Sequence, residues 1–258
     1  MIKPNEIICI DVLDGLSQIE DGIVSLTTSS PPYNVRLNYN SYGDDMPYAQ
    51  YIDWLANIFT EVFRVTRDGG RLVINIDAMT NRQGDKDQEY IRPIYPNLYE
   101  VMKKIGWKFR TDICWYKQNA AGKKTAWGSY CSASCPVIRR THEYVLVWSK
   151  GTWKLESDEQ SDITPQEFHQ YTLSTWFIQP ETRPLCGHPA VYPEELVRRV
   201  IKLFSYPKDL VLDPFNGTGT TTAVAYGLGR RYIGIDIDKT YCHYAKFRTE
   251  AHRDLLDD

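Results

Sequence analysis

Leu210-Val-Leu-Asp-Pro-Phe-Asn-Gly-Thr-Gly-Thr-Thr-Thr222 runs from an apolar triplet through a proline–glycine loop into the helix-competent stretch Thr220 to Leu228. The β-rich hexapeptide Arg231-Tyr-Ile-Gly-Ile-Asp236 follows directly. Strand, loop, helix and strand in that order form a βαβ unit, and such a unit commits the chain to parallel pairing with helices packed on the sheet. Outward from it the same alternation continues. Ile7–Ile10, Ile23–Thr28, Arg71–Ile76, Lys108–Tyr116 and Glu143–Trp148 read as strands. Tyr48–Thr66, Tyr95–Ile105, Pro193–Ser205 and Lys239 to about Arg253 read as helices, with the first ended by Asp68-Gly-Gly70 and the third begun by Pro193-Glu194. The expectation is an α/β fold with a mostly parallel sheet and helices on both faces.

In such sheets ligands sit beyond the carboxyl ends of the strands. Asp11, Ser29–Tyr33, Asp213–Gly219 and Asp236 all fall at such ends. The glycines of the 213–221 loop let backbone approach a ligand, and the helix start after it favours an anion. Asp236, 23 residues beyond Asp213, is placed to hold ribose hydroxyls. Two common nucleotide motifs fail here. A dinucleotide fingerprint wants a third glycine where Thr222 stands, and a phosphate loop wants lysine where Thr220 stands. Asp213 beside the loop would repel a pyrophosphate. A ligand combining a cationic centre, a carboxylate and a nucleoside fits better, and S-adenosylmethionine is such a ligand.

Ser30-Pro-Pro-Tyr33 follows the strand ending near Thr28. Two prolines fix the backbone and remove two N–H donors, so the turn offers acceptors: the Ser30 hydroxyl and the carbonyls beside the prolines. Acceptors suit an exocyclic –NH₂, and the Tyr33 ring offers a face for a flipped base.

The chain has 258 residues, 42% hydrophobic and 24% charged, with net charge −3 and pI near 6.0. That is globular composition, with length for one large domain. A basic field over the whole molecule is excluded, so a polyanion would have to meet a local patch. Such a patch spans Val101 to Lys154, where eleven basic residues face two acids, a net of +9, and five of the seven tryptophans lie in the same window. Lys117, Lys123, Lys124, Trp127, Arg139 and Arg140 are its candidates for DNA contact, and Asn119–Tyr130 reads as a long functional loop. The alternative is a solvated basic face over core tryptophans. Glu156–Pro165 reads as a surface insertion. No apolar run is long enough to span a membrane, and no signal peptide opens the chain, so a cytoplasmic, nucleoid-associated protein is expected. The six scattered cysteines are expected as reduced, ordinary thiols with no metal.

Together these motifs resemble the DNA amino-methyltransferases that modify N4 of cytosine or N6 of adenine. Ser30-Pro-Pro-Tyr33 matches the family's catalytic motif, and Asp213-Pro-Phe-Asn-Gly-Thr-Gly-Thr-Thr221 its S-adenosylmethionine motif. The order, catalytic first and cofactor last, resembles the β group. It implies a circularly permuted, Rossmann-like methyltransferase sheet with a small target-recognition insertion. The resemblance further implies catalytic roles for Ser30, Pro31, Pro32 and Tyr33. It gives cofactor roles to Asp11, Asp213, Pro214, Phe215, Asn216, Gly217, Gly219, Thr220, Thr221 and Asp236. His188–Pro193 and Thr141–Trp148 resemble two further family segments, the second near the target pocket. The implied organisation is a catalytic half (1–118), a DNA-facing segment with target recognition (119–187) and a cofactor half (188–258). The segment from Gly151 to Arg183, with help from 34–45 and 80–92, is expected to grip DNA. Ser at position 30 is commoner among cytosine-N4 enzymes, which favours that base over adenine. A C5-cytosine enzyme would need a Pro-Cys nucleophile, and here only Cys135-Pro136 occurs, in reverse order. Implied partners are double-stranded DNA, with a companion restriction endonuclease and self-pairing as a homodimer as further options.

Overall fold

The computed structural model describes residues 1–80, 91–117, 128–138, 140–181 and 186–254. Among these, eight strands form one sheet: β1 (Glu6–Cys9), β2 (Val24–Ser29), β3 (Thr66–Ile76), β4 (Lys108–Tyr116), β5 (His142–Ser149), β6 (Thr175–Phe177), β7 (Leu210–Asp213) and β8 (Arg231–Asp236). Their order across the sheet is β1-β8-β7-β2-β3-β5-β4-β6. Of these strands only β5 runs antiparallel to its neighbours. The N-terminal strand β1 lies beside β8, Glu6 opposite Ile233, so the cofactor half of the chain is inserted between β1 and β2 in space. This is the expected permuted sheet.

Helices α1 (Val12–Leu16), α2 (Tyr48–Val65) and α3 (Ile94–Ile105) share one buried core with the sheet, and α5 (Glu194–Phe204) and α6 (Thr220–Gly227) share a second. Helix α2 buries Tyr51, Leu55, Ile58, Phe59, Val62 and Val65, a single stripe at helical spacing. Helix α3 ends on Gly106, whose φ of 115° lets the closing turn cap the last carbonyls. Helix α7 (Lys239–Asp254) packs on α6 and β1, where Gly219, the N-cap of α6, comes so close that an added Cβ would lie 2.7 Å from Ala245. Among the described residues no helix is long and apolar enough to cross a membrane.

Three expectations need correction. The helix before Asp68-Gly-Gly70 ends sooner: β3 begins at Thr66 and includes that triplet, with a shift in its ladder to β2. Helices α1 and α4 (Pro165–Tyr171) and strand β6 were not expected. The insertion is a strap packed on the body rather than a projecting lobe. Residues 151–162 run along the edge of the sheet where the parallel strands begin. Gly69 accepts the close approach of the Lys154 carbonyl there, Arg71 and Arg110 both donate to Trp153 O, Lys208 pairs with Glu159, and fully buried Arg230 holds Asp162 with two bonds of 2.5 and 2.7 Å. The capping box of Thr164 and Glu167 then starts α4, and Glu167 binds Lys202 and Arg198 of α5. Only after β6 does this segment return to the opposite edge.

The basic window divides in the same way. Trp107, Trp115 and Trp148 are core residues, and Lys108, Arg110, Lys150 and Lys154 are tied to the edge where strands begin or to groups nearby. They do not form one groove.

Candidate active site

At the other edge, where β1, β2, β7 and β8 end, one cavity of about 450 Å³ opens. Its wall includes Ser30–Tyr33 from the loop after β2, Pro214–Thr218 and Thr220 from the loop after β7, Asp11, and Asp236. The two sequence motifs are joined directly beneath it. Ser29 Oγ donates to Asp213 Oδ1 at 2.5 Å, and both side chains are buried. The residue before each loop is thus fixed to the residue before the other, because β2 and β7 are neighbours.

Asp213 does not line the cavity. Its carboxylate also accepts from Thr221 Oγ1 at 2.5 Å, Tyr192 OH at 3.2 Å and the Phe215 backbone N–H at 3.0 Å. Burial pushes its carboxyl up, and these bonds oppose the rise. Asp213, expected to contact the cofactor, shapes the loop from behind the cavity wall. Thr221, bonded to Asp213 and Tyr192, belongs with it. Gly219 is likewise behind the wall, where its missing side chain admits α7.

The remaining cofactor candidates come together. Asp236 accepts from the backbone N–H of Gly217 at 2.8 Å and of Asp238 at 2.8 Å, and burial, with Asp213 and Asp238 nearby, pushes its carboxyl up to about 6. Gly217 has φ +48° and faces His188, whose ring would lie 3.0 Å from an added Cβ. Burial lowers His188 to about 4, so its imidazole is neutral, and Nδ1 accepts from Ala190 N–H. Asp11 caps α1 through Leu13 N–H at 2.9 Å and stays exposed at the rim. Phe215 and Trp54 have ring centroids 5.5 Å apart, and Tyr42 stacks on Trp54. Asn216 lines the cavity, but its side chain lies against Gly234 of β8 and its amide N and O are buried, with no partner among the described residues. Carboxylates that accept from hydroxyls and amines, and aromatic faces that favour a cation, fit an adenosyl sulfonium ligand.

The loop at 34–45, a candidate for reading DNA, packs beside Asp236 and His188: Asp44 gathers the N–H groups of Asn34, Val35 and Leu37, Ser41 binds Asp238 at 2.6 Å, and Tyr39 meets the His188 ring.

Across the cavity lies a second polar group. Ser30 Oγ donates to Tyr33 OH at 3.3 Å. Tyr33 OH lies 3.2 Å from Asn75 O and from Glu143 Oε2, and Asn75 Nδ2 donates to Glu143 Oε2 at 2.7 Å. Burial and the Glu143 charge push the Tyr33 hydroxyl well above the usual phenol range. Tyr51 OH takes the Pro32 carbonyl at 2.7 Å, whereas the Pro31 carbonyl accepts from no described residue. Glu143 pairs with Lys117. Lys117, expected to contact DNA, lies in the cavity wall, its ammonium over the Trp115 ring at 4.7 Å. Arg140 is bound to Asp77 and to Met79 O. Lys123, Lys124, Trp127 and Arg139 lie outside the described residues. Sequence reasoning missed Asn75 and Trp54. Glu143 and His188 sat in quoted segments without being singled out.

A family model described as DNA methylase matches residues 24–247. The type II methyltransferase M.SmaI of Serratia marcescens is 29% identical, aligned over 98% of this chain and 93% of its own. The DNA adenine methyltransferase YhdJ of Escherichia coli K12 is also 29% identical, over 90% of this chain and 78% of its own. Among solved structures, TTHA0409 of Thermus thermophilus in complex with S-adenosyl-L-methionine superposes with a TM-score of 0.76 at 27% identity, covering 96% of this chain and 94% of that one. The cytosine-N4-specific PvuII DNA methyltransferase superposes at 0.74 and 19% identity, covering 100% and 93%.

Proposed function

The chain belongs to the DNA methylase family of N4-cytosine and N6-adenine amino-methyltransferases, and from that premise we propose that it methylates N4 of a cytosine flipped out of duplex DNA, at a specific site and in a restriction-modification setting. The observation that carries the reading is the shared cavity: the acceptor loop and the cofactor loop face one another across it, tied at their roots by the Ser29–Asp213 bond. S-adenosylmethionine is the cofactor, and it supplies an electrophilic methyl group. On this reading Asp236 accepts from its ribose hydroxyls, Asp11 from its adenine amine, and Phe215 and Trp54 form the aromatic wall; that all four line the cavity supports these roles.

An exocyclic amine is a poor nucleophile because its lone pair is delocalised into the ring. Ser30 Oγ–H donates its hydrogen bond to Tyr33 OH, so the Ser30 lone pairs remain to accept from the amine. The Pro31 carbonyl is the second acceptor, since Tyr51 occupies that of Pro32. Two such bonds localise the nitrogen lone pair toward the donor side. Holding the reactants at attack distance supplies much of the rate, and the amine releases one proton after transfer. Extrusion of the base costs a few kcal/mol, which stacking and pocket contacts offset.

Cytosine is favoured by Ser30, a neutral hydroxyl where adenine enzymes of the family often carry Asp or Asn. The likeness to the adenine-modifying YhdJ supports the second reading. The test is incubation with methyl-labelled cofactor and mixed-sequence duplex DNA, followed by mass identification of the nucleosides. N4-methyldeoxycytidine is expected. N6-methyldeoxyadenosine refutes the choice of base, and binding without transfer refutes the activity.

A further inference from the structure

Lys117 stands apart from the rest of the basic window. Its side chain is 22% exposed, its partner Glu143 13%, and both line the cavity with Ser30 and Tyr33. A chain of hydrogen bonds runs from Ser30 through Tyr33 to Glu143 and on to Lys117. Glu143 is held from its other side by Asn75, and the Lys117 backbone N–H is fixed to Thr141 O at 2.8 Å. The ammonium is therefore a positioned group on the target side of the cavity, and a lysine has three N–H donors, of which the Glu143 contact uses one.

The geometry points to Lys117 as the residue that tells cytosine from adenine by donating to the C2 edge of the flipped base, an inference that rests on the cytosine reading above. With N4 of cytosine at Ser30 and Pro31, the same edge of the ring continues through N3 to the O2 carbonyl, a strong acceptor. Adenine placed with N6 in the same position continues through N1 to a C–H. Lys117 thus finds a partner on cytosine and a non-polar hydrogen on adenine. A site built to bond a polar substrate group discriminates against an analogue lacking it, because the ammonium donors that Glu143 leaves free then face a C–H in a partly desolvated cavity. Glu143 keeps the ammonium in place and balances its charge; Trp115 covers its other side.

The experiment compares the wild type, Lys117→Met and the charge-balanced pair Lys117→Met/Glu143→Gln on unmethylated mixed-sequence duplex DNA. It counts N4-methyldeoxycytidine and N6-methyldeoxyadenosine by mass, with S-adenosylhomocysteine affinity as the check on folding. The expected result is wild-type S-adenosylhomocysteine affinity in at least one variant, a fall of roughly 100-fold in cytosine product, and a product ratio shifted toward adenine. Cytosine product within about threefold of wild type, or a fall with an unchanged ratio, overturns the inference while leaving the base assignment standing. Loss of S-adenosylhomocysteine binding in both variants also overturns it, by making Lys117 a structural part of the cavity. Adenine as the wild-type product overturns the base assignment and this inference with it.

Discussion

Asp236 is the residue whose chemistry is most exposed to conditions. With its carboxyl raised to about 6 by burial, it is ionised at neutral pH and becomes protonated within the mildly acidic range. If it accepts from ribose hydroxyls as a carboxylate, S-adenosylhomocysteine affinity should be level above about pH 7 and fall roughly tenfold per unit below 6. Calorimetric titration at pH 7.5 and 5.0 checks this, and Asp236→Asn should bind weakly at both. Fold stability moves in the opposite sense. A carboxyl that holds its proton more tightly in the folded chain favours folding as pH falls from 6 toward its ordinary value, so loss of ligand binding in that window is not unfolding. The features legible in the sequence were those set by local backbone: the turn of Gly217 and the place of the Ser30–Pro31 loop at a strand end beside the cavity. The role of Asp213 was not legible, because its partner Ser29 stands 184 residues away. That Lys117 turns into the cavity wall was not legible either, since charge shows in a sequence and the direction of a side chain does not.

Among the elements, the strap of residues 151–162 and helix α4 carry the sharpest departure from expectation. The Thr164-Pro-Gln-Glu167 capping box was a readable sign of α4, whereas the three residues of β6 gave no periodicity to read. The strap's course depends on pairs such as Asp162 with Arg230, 68 residues apart, that no local pattern reveals. Because Arg230 is fully buried, Asp162→Ala strands a guanidinium. Asp162 itself is 30% exposed, so the cost should be roughly 2–3 kcal/mol rather than the larger value of a sealed pair, or about 5–10 °C in melting temperature. Methyl transfer measured well below that melting point should be unchanged, since the strap runs along the edge opposite the cavity. A strong loss of DNA affinity in this variant would support the DNA-gripping role first expected of the strap.

For the whole molecule, a net charge of −3 means that the far field does not draw DNA in. Binding then depends on phosphate contacts near the cavity mouth. The affinity for mixed-sequence duplex should fall with salt at about −0.9 in logarithmic slope per contact, while S-adenosylhomocysteine affinity stays nearly level. Filter or fluorescence titrations across a salt series check this, and a flat DNA curve would contradict phosphate-led binding. The permuted sheet was legible as a whole because the order of two motifs and the alternation of strands and helices both survive in one dimension. The bond between Ser29 and Asp213 gives that architecture a kinetic meaning. If the Ser30–Pro31 and 214–218 loops hold amine and methyl donor as proposed, this common root fixes their separation, and the slow events of a cycle are expected in the covers, the 34–45 loop above all, as one nucleoside enters and another leaves.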